Sequence, residues 1–128
     1  MNHRRVFTVT IPLFGALAVA AGVATWLAQL RLRIVDAELS LKDTGTGAGS
    51  TTVDVKLNGT TILAAGALSI AGAAATKAIR ATPVGGVGEP SGVEVAPNDS
   101  ITVDVSAIPA TTAPAGGFVT LTCVAKDV

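Results

Sequence analysis

The chain has 128 residues and a formal net charge of zero, nine basic side chains balancing nine acidic ones. That length allows one domain with a modest core, and the charge balance leaves no basic footprint for nucleic acid. The aromatic residues are Phe7, Phe14, Trp26 and Phe118, with no tyrosine, which argues against an aromatic ligand cage or a platform for stacked bases. Cys123 is the only cysteine, so no disulfide forms within the chain. Its setting, V-T-L-T-C-V, is that of a buried small hydrophobe rather than a reactive thiol.

In chain order, the first segment is ambiguous. Residues 11–28 carry no charge, with Arg4 and Arg5 before them and Arg31 and Arg33 after. Hydropathy alone makes this stretch a candidate membrane helix or secretory signal. The local pattern points elsewhere. V-F-T-V-T-I over 6–11 alternates and is rich in β-branched residues, which predicts a strand ending at Pro12. Residues 13–22 are apolar and rich in alanine, with Gly15 and Gly22, as in a loop with a packed apolar side. Alternation returns near 24–34, with Leu30, Leu32 and Ile34 on one face. The expectation is a β segment kept at the start of the chain rather than a membrane span.

Residues 35–63 are the clearest part. Val35, Ala37, Leu39 and Leu41 share one parity, and Asp36, Glu38, Ser40 and Lys42 the other, a half-buried strand. D-T-G-T-G-A-G-S over 43–50 is a glycine loop. A second strand follows with Val53, Val55 and Leu57 inward. Asn58-Gly59 is a strong signal for a type I′ hairpin, because both residues tolerate positive φ. Residues 60–63 are the returning strand.

Beyond this the text turns small and apolar. Residues 64–81 suit either a short helix, since alanine favours one, or a loop with one short strand near 76–81. Glycines and prolines make 82–92 a long loop. Residues 93–95 are a short strand, and Pro97-Asn98-Asp99 is a turn. Residues 100–106 alternate with Ile101, Val103 and Val105 inward. Residues 108–117 are irregular. The last strand covers 118–124, with Val119, Leu121 and Cys123 facing the core. The whole predicts an all-β chain, a single antiparallel β-sandwich or jelly-roll-like barrel of about eight short strands with an apolar N-terminal segment. Residues 1–23 form an N-terminal arm and first strand, and 24–128 the β-sandwich, one domain overall. T-V-D-V occurs at 52–55 and again at 102–105. It is read as the shared pattern of half-exposed strands rather than a duplication.

Chemistry is sparse. His3 is the only histidine, which leaves no histidine metal site or catalytic triad. No glycine cluster ends in the Gly-Lys-Ser/Thr of a phosphate loop. Asp36, Asp43, Asp54, Asp99 and Asp104 lack the spacing of a calcium loop and read as solvated strand faces and turn caps. No enzyme, metal or cofactor is expected.

Several segments in order resemble a family: F-T-V-T-I-P near the start, I-V-D-A-E-L-S-L, then G-T-G-A-G-S-T-T-V-D-V-K-L-N-G-T-T-I-L, N-D-S-I-T-V-D-V, and G-F-V-T-L-T near the end. Together they are similar to the small jelly-roll-type β-domains of tailed bacteriophage structural proteins, found in capsid decoration (cement) proteins and in head or tail fibres. The resemblance implies a role on the virion surface without deciding between head and tail; its cement-protein form implies a protein on the capsid surface, bound to the major capsid protein and associated as a homo-oligomer, often a trimer. The charge balance adds the expectation of no nucleic-acid partner. The sequence departs from the pattern in residues 64–75 and 13–28. A fibre or receptor-binding domain is the alternative, disfavoured by the scarcity of aromatics. A membrane-anchored β-module with a helix near 11–28 is a second.

An apolar segment left exposed over 13–28 invites aggregation unless a partner covers it. Phe7, Leu13, Phe14, Leu17 and Trp26 are therefore the candidate contact residues, with Arg4 and Arg5 reaching acidic groups on the shell. Removal of residues 1–16 is expected to abolish capsid binding and leave the β-domain folded.

Overall fold

The computed structural model describes residues 5–83 and 92–125, the side chain of Phe14 excepted. These residues form ten strands and no helix: β1 (Val6–Ala16), β2 (Ala20–Leu27), β3 (Leu32–Ser40), β4 (Ser50–Leu57), β5 (Thr60–Thr61), β6 (Leu68–Ala71), β7 (Ala78–Ala81), β8 (Val93–Val95), β9 (Ser100–Ala107) and β10 (Ala115–Ala125). One sheet runs β1-β10-β3-β7, with β8 also on β3. The other runs β2-β9-β4-β5, with β6 also on β4. Every pairing is antiparallel.

The order has a simple logic. The first four strands pair with the last six in reverse: β1 with β10, β2 with β9, β3 with β8 and β7, β4 with β6 and β5. The chain is one long antiparallel ribbon rolled up, and the β10–β3 and β9–β4 ladders close the roll. This is the expected jelly-roll arrangement in two sheets.

The core lies between the sheets. Ile34, Ala37, Leu39, Val119, Leu121 and Cys123 from one sheet meet Val53, Val55, Ile101, Val103 and Val105 from the other, none more than 2% exposed. Alternation in β4 and β9 follows the sequence closely. In β3 it does not: Leu32 and Ile34 are buried, and so are Ala37, Leu39 and Leu41, which lie on the opposite parity. The ladder explains the change. Cys123 pairs with Ile34 and Thr122 with Asp36, so Val35 is an extra residue, a β-bulge that resets the phase. The hairpin at Asn58-Gly59 forms as predicted, with φ of 49° and 87° and Leu57 paired to Thr60.

Four expectations need correction. The first strand does not end at Pro12 but continues to Ala16 with Pro12 opposite Phe118. An edge strand tolerates a residue that cannot donate to the ladder. Residues 13–22 are not a loop, since β1 and β2 take most of them. This also replaces the alternative helix near 11–28 with two strands, and no helix long and apolar enough to cross a membrane exists among the described residues. The division at residue 23 falls inside β2, and β1 is built into the sandwich, with Ile11 and Leu13 in the core. Loss of residues 1–16 would therefore strip a whole strand from β10 rather than leave the β-domain intact. Of the two readings of 64–81, the helix is absent and the short strand near 76–81 forms as β7, while β6 in the other sheet is an additional strand. Most of the 82–92 loop lies outside the described residues.

Candidate interaction surface

Residues 6–30 contain no charged side chain. They make up β1, the turn to β2, β2 itself and the turn to β3. β1 pairs only with β10, and β2 only with β9, so each keeps one open edge. The two strands touch each other, which places both open edges on one flank of the roll. Proteins usually blunt such edges with charge, because open N–H and C=O groups beside apolar side chains invite pairing with another chain. The other flank follows that rule: its strands are short, and Lys77, Arg80 and Glu94 stand on or beside them. The β1–β2 flank is blunted only by Pro12 and by register shifts near Leu13–Ala16 and Ala20–Ala24.

Apolar exposure gathers on this flank. Among the described residues the exposed large hydrophobics are Val6 at 64%, Val19 at 61%, Leu27 at 51%, Leu30 at 44%, Val23 at 42% and Phe118 at 39%. Five lie within 6–30, and Phe118 stands opposite Pro12 on the neighbouring strand. Elsewhere the outer faces are polar. Thr8 and Thr10 pair with Thr122 and Thr120. Arg33 pairs with Glu94 at 2.9 Å, and Arg80 with Glu38 at 3.1 Å and Asp36 at 3.6 Å. Hydrogen bonding to Glu38, then the charges of Asp36 and Glu38, raise the Arg80 pKa further.

The outer face of β2's sheet carries a second group of charges. The two T-V-D-V segments are neighbouring antiparallel strands, so Asp54 lies directly across from Asp104. Like charges placed opposite each other destabilise a sheet. Here each has a partner: Lys56 Nζ is 2.8 Å from Asp104 Oδ2, and the Thr61 hydroxyl donates to Asp54. The Lys56 ammonium, and then the Gly22 N–H, hold the Asp104 carboxyl below its ordinary pKa. Asp104 in turn raises Lys56. At the turn into β9, the Ala96 N–H and the Asn58 side chain lower Asp99 in the same way.

The predicted contact residues divide. Arg5 is exposed at the start of β1, whereas Arg4 lies outside the described residues, as does the side chain of Phe14. Leu13 and Leu17 are 3% and 6% exposed and belong to the chain's own core. Phe7 and Trp26 are half-buried against it. The side chains that face outward are instead Val19, Val23, Leu27 and Leu30. The signal for two of them was parity: once 20–27 is a strand with Ala24 and Trp26 inward, Val23 and Leu27 must point out.

Groups suited to catalysis are sparse. No cluster of three or more His, Cys, Asp or Glu placed to hold a metal occurs among the described residues. Burial pushes the Cys123 thiol up to about 11, far from a reactive thiolate. A shallow groove of about 250 Å³ beside Thr52, Asp54, Thr61, Leu63 and Ser106 contains one carboxylate, Asp54, already engaged by Thr61.

No family model matches the sequence, and no curated protein matches it. Among solved structures, a chain of the cyanophage Pam1 capsid asymmetric unit is similar in fold, with a TM-score of 0.63 and 18% identity. The match covers 96% of this chain and 85% of that one, so two whole small chains share the fold and not merely a motif within it.

Proposed function

We propose that the protein is a structural component of a phage virion that binds the outer surface of the capsid as a decoration protein. The observation that carries this reading is the near full-length fold match to a chain of a cyanophage capsid asymmetric unit. The uncharged β1–β2 flank supports it, because a long open edge beside exposed valines and leucines is suited to being covered. In this reading the protein works by contact alone, without catalysis or cofactor. Its partners are the major capsid protein and sister copies, a trimer being the expected assembly. The polar threonine faces remain toward solvent.

The test is co-sedimentation of the purified chain with capsids of its own phage, alongside its mass in solution by light scattering. Saturable binding at a fixed ratio to capsid subunits, by an oligomer, is the expected result. A chain that stays in the supernatant at every concentration refutes the decoration role.

A further inference from the structure

β2 presents much of the exposed apolar surface, yet its ladder to β9 is broken in the middle. Ala20 pairs with Val105 and Ala24 with Val103, so Ala21, Gly22 and Val23 together stand against Asp104 alone. Gly22, at a φ of 63°, makes the bend. Its N–H is bound by a side chain: Asp104 Oδ1 accepts it at 2.7 Å. Oδ2 of the same carboxylate takes the Lys56 ammonium at 2.8 Å. Asp104 thus bridges the strands on its two sides. The charged groups facing it are Asp54 and Lys56 on β4. β2 contributes none, and β5 contributes only Thr61, which engages Asp54.

We propose that Asp104 is a positioning residue for the β1–β2 flank: its carboxylate clips the bulge of β2 to β9, and loss of that charge frees residues 20–24 and the outward placement of Val19 and Val23. The consequence for docking rests on the virion reading above, whereas the clip itself is a property of the single chain. A charge-assisted bond to a backbone N–H is among the stronger hydrogen bonds available. Here it acts where the backbone ladder supplies nothing, so the strand has little else to hold it at that point.

Hydrogen exchange of the full chain, read by mass spectrometry, tests the clip. Asp104→Ala should speed exchange in residues 20–27 by about tenfold or more, with β3 and β10 at wild-type rates. Lys56→Gln, which keeps the carboxylate and its bond to Gly22, should have a smaller effect in the same segment. Trp26 is the only tryptophan and lies half-buried on β2, so its emission should shift to the red in Asp104→Ala. The same shift should occur in the wild type under acid, below the ordinary carboxylate pKa and before far-ultraviolet dichroism is lost. Unchanged exchange in 20–27, or an equal rise in every strand, overturns the proposal. If Asp104→Ala does not fold, the acid titration of the wild type decides alone: Trp26 emission that moves only together with the dichroism overturns it. Co-sedimentation is run in parallel. A wild-type chain that never binds capsids refutes the virion reading, while the exchange data still decide the clip.

Discussion

Lysines placed on the exposed face of β2 should abolish docking without unfolding the protein. Val23 and Leu27 keep 42% and 51% of their surface open in the single chain. Full burial of such a side chain is worth about 1.5–3 kcal/mol, so an interface that covers the open half gains roughly 1 kcal/mol from each. Val23→Lys with Leu27→Lys forfeits both gains. It also forces two unpaired ammonium groups into a dry contact, at several kcal/mol per ion. A combined loss of at least about 4 kcal/mol lowers affinity about a thousandfold. The fold should tolerate the change, because a lysine stem covers apolar surface while its charge stays in water, and surface substitutions usually fall within about 0.5 kcal/mol each. Together the two changes amount to at most about 1 kcal/mol, so the melting temperature should move by no more than about 4 °C. The assay is co-sedimentation with capsids, with thermal melting as the control for folding. Ala78→Lys on the exposed β7 flank controls for added charge and should bind normally. Wild-type occupancy by the double variant would refute the assignment of β2 to the contact.

Three further outcomes follow from the interior and the turns. The Thr51 hydroxyl is fully buried and has no hydrogen-bond partner among the described residues. Thr51→Val should stabilise the protein by about 1 kcal/mol, read as a higher urea midpoint, and a lower midpoint would show that the hydroxyl is bonded. Gly45, at a φ of 72°, has no room for a Cβ, which would run into the Thr112 carbonyl, whereas Gly59, at 87°, faces open space. Gly45→Ala should then cost about 2–4 kcal/mol and Gly59→Ala about 1–2 kcal/mol, and equal losses in denaturant melts would contradict the close approach. Asp99 and Asp104 both have folded pKa values below the ordinary 3.8. The stability they lend is complete above that value and is lost as pH falls through the lower folded values. Urea midpoints should fall as pH drops below the ordinary carboxylate value, and less steeply in Asp104→Asn.

Where each strand keeps a single phase, the sequence was legible. β4 alternates over 51–55 and β9 over 101–105, ahead of its irregularity at Ser106, and the inward residues of both follow from the pattern. So do the core-facing residues of β10, although its ladder to β3 shifts register opposite Val35. The Asn58-Gly59 turn was legible because its conformation is a local steric demand. Legibility failed where tertiary pairing overrode local signals. Pro12 reads as a stop, yet the ladder to β10 carries β1 past it. The alanine-rich 64–81 favours a helix by propensity, but β4 and β3 recruit β6 and β7 as edge strands. Val35 hid its bulge, since a one-residue phase slip leaves both flanking patterns regular. The division of residues 13–27 into inward and outward side chains is hidden for a related reason. Hydrophobicity is common to all of them, and only their place in the fold separates Leu13 and Leu17, which stay inside, from Val23 and Leu27, which do not.

The pairing of β1 with β10 has a consequence during synthesis. β1 is made first, but its sole ladder partner is made last, and even the Arg5 carbonyl waits for the Ala125 N–H. At about 5–20 residues per second, β1 spends on the order of 5–20 seconds on the ribosome without a partner. During that interval residues 6–30 stand open to other chains, a long run with no charge to deter them. Neighbouring ribosomes on one message hold many copies of it close together. The uncharged flank thus makes the unfinished chain prone to premature association, and a holding chaperone would act on these residues first.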